Sequence, residues 1–242
     1  MEELKELVTK LERAFSGRLV SVVLYGSAAS GSGTHASRPD KLADLNVLCV
    51  LKEIAPQELS DGEPVLRWWH GKGHPSPLLM SEEEVHNSAD SFPIEFRDMK
   101  DHRKVLFGTD VIADVKVDAK YHRVQVEHEL RSKLFRLRQQ GARSLSDPPA
   151  LLKLCIDSVS TFCVLGRHAL LAAGIEPKTE RRALVRQMGA ALQMDVAPFE
   201  MLLDIREDKS GPDAGDPGEL FAQYLGCIRR LVEFVDRLEE KI

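Results

Sequence analysis

Three groups of polar residues in the first half of the sequence carry side chains suited to a metal ion and phosphate. Gly26 and Ser27 follow an apolar run, Asp44 and Asn46 stand two residues apart before another apolar run, and Glu95 lies in a third segment. Mg²⁺ prefers carboxylate and carbonyl oxygens together with phosphate oxygens and water. A Gly-Ser turn lets backbone N–H groups and a hydroxyl approach a phosphate closely. These residue types predict a site for a metal and a phosphorylated ligand.

Each group also has an ordinary structural explanation. A Gly-Ser pair after a strand is most often a plain turn, and Asp-x-Asn before a strand is usually a turn or capping sequence. Glu95 alone is typical of a solvated carboxylate on a strand. The chemical interpretation therefore depends on the elements that position the three groups.

Two short apolar runs predict buried strands beside the first two groups. Residues 19–25 are apolar or β-branched and end at Gly26, and residues 45–51 form a second run directly after Asp44. Side chains two positions apart on a strand point to the same face. Asp44 and Asn46 are therefore predicted to face one site.

An alternating segment, residues 92–99, predicts the strand that carries Glu95. Ile94 and Phe96 alternate with polar residues, which is the period-two pattern of a strand with one polar face. Asp98 falls on the other parity, so the pattern selects Glu95 as the third site residue.

The rest of the first half is predicted as helices and a further strand. Leucines at helical spacing predict an amphipathic helix that Gly17 ends. A second helix is predicted over residues 56–72, with an apolar side made of Leu59, Leu66 and Trp69. Residues 77–80 are a candidate strand, followed by a capping box in which Ser81 begins a helix and Glu84 stands three residues on.

Beyond about residue 118 the sequence changes to long amphipathic helical patterns with favourable i,i+4 charge pairs. We expect helices from about 121, over 148–173 and 177–194, a short one from Pro198, and a last one over 221–238. The predicted architecture is an α/β (α+β) domain with a small mixed sheet over 1–118, followed by an all-α bundle over 119–242. The bundle is expected to form the other wall of a cleft.

Amino-acid composition indicates which ligand class and which cellular compartment to expect for such a site. The net charge of −5 disfavours a dedicated nucleic-acid binder, which usually presents a broad basic surface. Four cysteines without a C-x-x-C pair indicate a reducing cytosol. The acidic start of the chain does not resemble a signal peptide, and the apolar stretch 159–175 is interrupted by Arg167 and His168, as in a core helix. A cytoplasmic protein is expected.

In chain order, the motifs resemble the DNA polymerase β-like nucleotidyltransferase superfamily. Its pattern is an apolar strand, a Gly-Ser turn, an Asp-x-Asp opening a second strand, and a third carboxylate on a later strand. The match covers roughly residues 19–97. The Tyr-Gly-Ser-Ala turn, the Phe-Pro-Ile-Glu segment, an Arg-Lys-Val-Leu-Phe-Gly turn at 103–108 and a Glu-His-Glu-Leu-Arg-Ser-Lys helix at 127–133 are similar to a bacterial branch with a kanamycin nucleotidyltransferase-like arrangement.

The resemblance implies Mg²⁺-dependent transfer of a nucleoside monophosphate from an NTP such as ATP to a hydroxyl, with release of pyrophosphate. Gly26 and Ser27 would hold the β- and γ-phosphates. Asp44 would bind two Mg²⁺ ions, Asn46 would share the metal site, and Glu95 would bind one ion or act as general base. The acceptor would be a small molecule or a protein rather than a nucleic acid, and no membrane is implied. A second copy of the chain or a partner protein is left open.

Asn46 departs from the superfamily pattern, because it stands where the second metal-binding Asp belongs. A pair of unit charges at about 4 Å is worth roughly 4 kcal/mol at an effective dielectric of about 20, and a neutral amide forgoes that attraction. Two alternatives follow. The protein is an enzyme whose weak metal site needs NTP for completion, or it is a catalytically impaired nucleotide-binding or interaction module, such as an antitoxin-like partner of another protein.

Two basic residues are further candidates for nucleotide binding. Arg38 lies in the loop 28–43, which is either a flap over the nucleotide or a surface insertion. Lys133 lies on a basic helical segment, where it either meets phosphate or pairs with Glu129 on a solvated face.

Overall fold

The chain forms two units, Met1–Asp118 and Ala119–Ile242, in a computed structural model that describes residues 2–29, 45–207 and 215–238. In the first unit, α1 (Glu2–Phe15) precedes a four-stranded sheet made of β1 (Leu19–Tyr25), β2 (Asn46–Leu51), β3 (Leu78–Ser81) and β4 (Arg103–Gly108). The strand order is β3-β2-β1-β4. Strand β1 is antiparallel to β2 and β4, whereas β2 and β3 are parallel, so the small mixed sheet is confirmed.

Helices cover both faces of this sheet. Helix α1 and α2 (Pro56–Gly71) pack on one face, where Val22, Leu24, Val47, Cys49 and Leu51 are buried. Helices α3 (Glu82–Asn87) and α4 (Pro93–Asp101) belong to the other side, whose core contains Val23, Leu48, Val50, Phe96 and Met99. We call this second side the α4 face. Because successive strand residues alternate between faces, each position of β2 is assigned to one helical layer.

The strands and turns with strong local signals agree with the sequence. Strand β1 has the predicted bounds, and β2 begins one residue later than expected. The capping box is also confirmed: Ser81 Oγ accepts a hydrogen bond from the Glu84 N–H at 3.1 Å, and the Ser81 N–H donates to Glu84 Oε2 at 2.7 Å. These features depend on neighbouring residues alone.

The prediction that Leu59 lies on the apolar side of α2 is wrong, because this residue is 50% exposed. The buried positions are Glu58, Gly62, Val65 and Trp69. Glu58 turns inward because Arg18 Nη1 binds its carboxylate at 2.6 Å. Gly62 follows on the same side because Phe15 fills the space beside it, where a Cβ would lie 2.9 Å from the Phe15 ring.

Residues 93–101 form helix α4, so the strand predicted over 92–99 is wrong. Pro93 occupies the first turn, where its fixed φ suits a helix and its missing N–H costs nothing. Phe96 and Met99, one turn apart, are buried on the α4 face. The alternating segment is too short to distinguish a strand, with a period of two residues, from a helix, with a period of 3.6 residues. Packing on the sheet favours the helix.

Residues 103–108 form strand β4 at one edge of the sheet, and the turn predicted there is wrong. Arg103 pairs with Tyr25, and Gly108 pairs with Ser21 at the other end of β1. Gly108 has φ of +72°, and an added Cβ would lie 1.9 Å from the Val20 carbonyl oxygen. The close approach of two backbones explains the glycine at this position.

The second unit contains α5 (Ala119–Ser144), α6 (Pro148–Ala172), α7 (Arg181–Leu192), α8 (Ala197–Arg206) and α9 (Pro217–Asp236). By length and composition α6 could cross a membrane. It instead packs against the four other helices of this unit and buries residues such as Val159, Phe162 and Leu170. Helix α6 is thus the core helix of the bundle.

Candidate functional site

The chain turns sharply after β1, in a 3₁₀ turn over Gly26–Ala28. Gly26 has φ of +76°, a left-handed conformation that strongly favours glycine. Its N–H donates to the His102 carbonyl at 3.0 Å, and the Ala29 N–H donates to the Gly26 carbonyl at 3.0 Å. Because the Gly26 N–H is engaged within the fold, a phosphate at this turn would use the N–H groups of Ser27 and Ala28.

Asn46 lies directly beside this turn. It begins β2 opposite Tyr25 of β1, and a Cβ added to Gly26 would lie 3.4 Å from Asn46 Nδ2. Asn46 has the same strand parity as Leu48 and Val50, which are buried on the α4 face. The sequence-predicted Gly-Ser turn and the Asn46 amide therefore meet where the end of β1 and the start of β2, the two central strands, lie side by side; we call this place the corner of the sheet.

Glu95 and Asp98 lie one turn apart on α4, which packs on the same face. Tyr25 connects them to the turn: burial raises the pKa of its phenol, and the charges of Glu95 and then Asp98 raise it further. Both carboxylates are thus close enough to Tyr25 to act on it electrostatically. The strand-parity argument that separated Asp98 from Glu95 does not apply, because residues three apart share one side of a helix; the choice of Glu95 as the site residue stays a prediction.

The Tyr25 phenol provides a direct check of this arrangement. Replacing Glu95 with Gln removes a negative charge that disfavours the phenolate, so we expect the pKa of Tyr25 to fall, while burial keeps it above its ordinary value. Alkaline titration of the three tyrosines by NMR would measure it. Glu129→Gln, on α5, is the matched control, and an unchanged Tyr25 pKa in Glu95→Gln would contradict the placement of α4.

The other predicted site residues are distributed differently. Arg38, Asp44 and the Ser27 side chain lie outside the described part of the chain. Lys133 belongs to α5 in the helical unit, and its Nζ lies 3.6 Å from Glu129 Oε2, the solvated ion pair that its i,i+4 spacing predicts. A role for Lys133 at the nucleotide stays a prediction.

The described donors at the corner suit a hard cation. Within residues 2–29, 45–207 and 215–238, no three His, Cys, Asp or Glu side chains form a group that could hold a metal ion. The structure places the Asn46 amide beside the turn, and the carboxylates of Glu95 and Asp98 lie on α4 within electrostatic range of Tyr25. Their oxygens match the preference of Mg²⁺ rather than that of softer metals.

Two features of the site have no counterpart in the sequence prediction. One is the His102 carbonyl, which fastens the end of α4 to the Gly26 turn. The other is Arg103, opposite Tyr25, whose guanidinium binds Asp110 through three contacts of 2.9–3.0 Å. This pairing lowers the pKa of the Asp110 carboxyl and engages the Arg103 charge within the fold. For this part of the chain, the sequence shows only the short apolar run 105–107 with charged residues on either side. That pattern predicts neither the hydrogen bond to the His102 carbonyl nor the Arg103–Asp110 pair.

Neither a protein-family model nor a curated protein matches the sequence. Among solved structures, the chain is similar to spectinomycin adenyltransferase AAD(9) from Enterococcus faecialis, determined with ATP and spectinomycin. The two share 10% sequence identity with a TM-score of 0.56, over 95% of this chain and 99% of that one. This likeness, with the mixed sheet, confirms the predicted fold class: an α/β nucleotidyltransferase-like domain followed by a helical C-terminal part.

Proposed function

We propose that this protein is a Mg²⁺-dependent nucleotidyltransferase that moves a nucleoside monophosphate from an NTP to a hydroxyl group and releases pyrophosphate. The observation that carries the proposal is the corner where the Asn46 amide lies against the Gly26 turn. It stands in a fold shared, over nearly the whole of both chains, with an adenyltransferase determined with ATP.

In the proposed reaction the turn binds the phosphates. The N–H and hydroxyl of Ser27 and the N–H of Ala28 hold the β- and γ-phosphates, with added positive charge from Arg38 and Lys133. The acceptor oxygen forms a bond to the α-phosphorus while the bond from that phosphorus to the bridging oxygen breaks. Glu95 takes the acceptor proton as general base where it does not bind a metal ion, and pyrophosphate leaves with the bridging oxygen.

Asp44, Asn46 and Glu95 would hold Mg²⁺, which when bound would neutralise charge on the phosphates and polarise the reacting phosphoryl group. The Asn46 amide offers a carbonyl oxygen but no charge. The protein's own affinity for the cation is therefore expected to be weak, and phosphate oxygens of the NTP complete the site. Metal and nucleotide are expected to bind together.

The acceptor class follows from charge and from the neighbour. A net charge of −5 disfavours a nucleic-acid acceptor, and AAD(9) was determined with the small molecule spectinomycin. We propose a small-molecule or protein hydroxyl as acceptor. The four cysteines are free and buried, which suits a protein of the reducing cytoplasm.

The neutral Asn46 also supports a second candidate function, a catalytically impaired nucleotide-binding or interaction module with an antitoxin-like protein partner. One experiment separates the two. Pyrophosphate release would be measured with each NTP, Mg²⁺ or Mn²⁺ and a panel of hydroxyl acceptors, for the wild type and for Asn46→Asp. Release by the wild type supports the enzyme, release by Asn46→Asp alone supports the impaired module, and no nucleotide binding by either protein contradicts both.

A further inference from the structure

We propose that Arg103 is a positioning residue for the Gly26 turn, because its side chain fixes the short junction between α4 and β4 that holds this turn. The inference rests on the proposed function, since it concerns the turn that would bind the phosphates of the NTP. Arg103 would act through other residues, without contact to the nucleotide.

The junction between α4 and β4 is a single residue, His102. Its carbonyl accepts a hydrogen bond from the Gly26 N–H at 3.0 Å, which joins the junction to the turn. Gly26 has φ of +76°, and the orientation of its peptide groups sets the direction of the N–H groups that follow, those of Ser27 and Ala28. The position of His102 therefore affects where these two N–H groups point.

Arg103 holds the chain on both sides of His102. Its Nη1 donates to the Lys100 carbonyl at 2.7 Å, in the last turn of α4, where backbone carbonyls have no partner within a helix. Arg103 is also the first residue of β4, where it pairs with Tyr25, the residue directly before Gly26. One residue thus binds the end of the helix and begins the strand, and His102 lies between the two contacts.

Asp110 holds the guanidinium in this position. Nε and Nη2 of Arg103 contact the two carboxylate oxygens of Asp110 at 2.9–3.0 Å, a bidentate geometry that fixes the plane of the guanidinium. The segment that carries Asp110 is itself fastened to the sheet. On one side of it, the Ser21 hydroxyl donates to the Thr109 carbonyl at 2.6 Å. On the other side, Ile112 is buried in the core of the α4 face.

The pairing with Asp110 distinguishes positioning from direct binding of phosphate. If the Arg103 guanidinium bound phosphate itself, neutralising Asp110 would release it, and nucleotide affinity would rise or stay the same. If Arg103 positions the turn, it needs Asp110 to hold its side chain in place. Loss of either partner should then weaken nucleotide binding to a similar extent.

The first measurement needs no ligand and compares the wild type with Arg103→Gln and Asp110→Asn. Amide hydrogen exchange would be followed by NMR at Gly26 and at Val23, in the middle of β1. We expect the exchange of Gly26 relative to that of Val23 to become about tenfold faster in each variant, the effect of losing about one hydrogen bond. A loss of stability alone would accelerate both amides equally.

The second measurement is NTP binding in the presence of Mg²⁺, by calorimetry, with the NTP that the wild type binds most tightly. The dissociation constant should rise about tenfold in each single variant and no further in the double variant, because the two residues act as one unit. Arg67→Gln is the matched control. It removes the same charge from an exposed ion pair with Glu63 on α2 and should change neither measurement.

Thermal unfolding of every variant establishes that it is folded before the results are compared, and Asp110→Asn carries both measurements if Arg103→Gln does not fold. Equal acceleration at Gly26 and Val23, wild-type affinity in Asp110→Asn, or additive losses in the double variant would each overturn the positioning role and leave the proposed function standing. A wild type that binds no NTP overturns the proposed function, and this inference with it.

Discussion

Glu95→Gln is expected to lower pyrophosphate release at least about 100-fold, the lower range for removal of a general base. Glu95 is exposed on α4, and the core of this helix is made by other residues. Gln keeps the size of the side chain but cannot accept the acceptor proton and brings no charge to the cation. The measurement is release of pyrophosphate from the NTP and acceptor that give the wild type its highest rate.

Stability and a matched variant separate chemistry from folding in this prediction. The melting temperature of Glu95→Gln should equal that of the wild type, because an exposed helical carboxylate contributes little to the free energy of unfolding. Glu83→Gln, at an exposed position in the first turn of α3, should leave both rate and stability unchanged. Turnover at the wild-type rate by Glu95→Gln would remove Glu95 from the catalytic machinery.

Gly108→Ala is expected to destabilise the first unit by about 2–5 kcal/mol. The left-handed φ of +72° is costly for any residue with a Cβ, and here the added methyl would lie 1.9 Å from the backbone oxygen of Val20. Neither backbone can move without shifting the pairing of β1 with β4. That pairing also places His102 and Arg103 beside the Gly26 turn, so nucleotide binding should weaken as well.

Urea unfolding followed by tryptophan fluorescence measures this effect selectively. Both tryptophans, Trp68 and Trp69, lie on α2 in the first unit, so their signal reports that unit. Gly73→Ala is the matched control: Gly73 has φ of +88° but nothing within 4 Å of an added Cβ. It should cost only about 1–2 kcal/mol. Equal losses in the two variants would show that the contact with Val20 contributes nothing.

Local signals in the sequence were sufficient for the elements that carry the Gly-Ser turn and Asn46. Residues 19–25 and 46–51 are nearly continuous apolar runs bounded by turn residues, which is the pattern of strands buried on both faces of a sheet. Neighbouring antiparallel strands then place Asn46 beside Gly26, because the end of β1 meets the start of β2. That part of the site follows from pattern and topology.

The position of Glu95 could not be predicted, because tertiary packing decides the secondary structure of the segment 92–99. The four alternating residues 94–97 fit a strand, yet Pro93 begins a helix and Phe96 and Met99 fill the α4 face. The period then changes from two to 3.6 residues, and Asp98 joins Glu95 on one side. A hydrogen bond such as that from Gly26 to His102, across 76 positions of sequence, has no local signature.

Hydrogen–deuterium exchange with and without Mg²⁺ and ATP tests the central claim most directly, because it shows where the nucleotide binds. We expect slower exchange at the Gly26–Ala28 turn, at the start of β2 and in α4, with no protection when EDTA replaces Mg²⁺. Protection confined to other segments, or none at a saturating ATP concentration, would contradict a nucleotide site at this corner of the sheet.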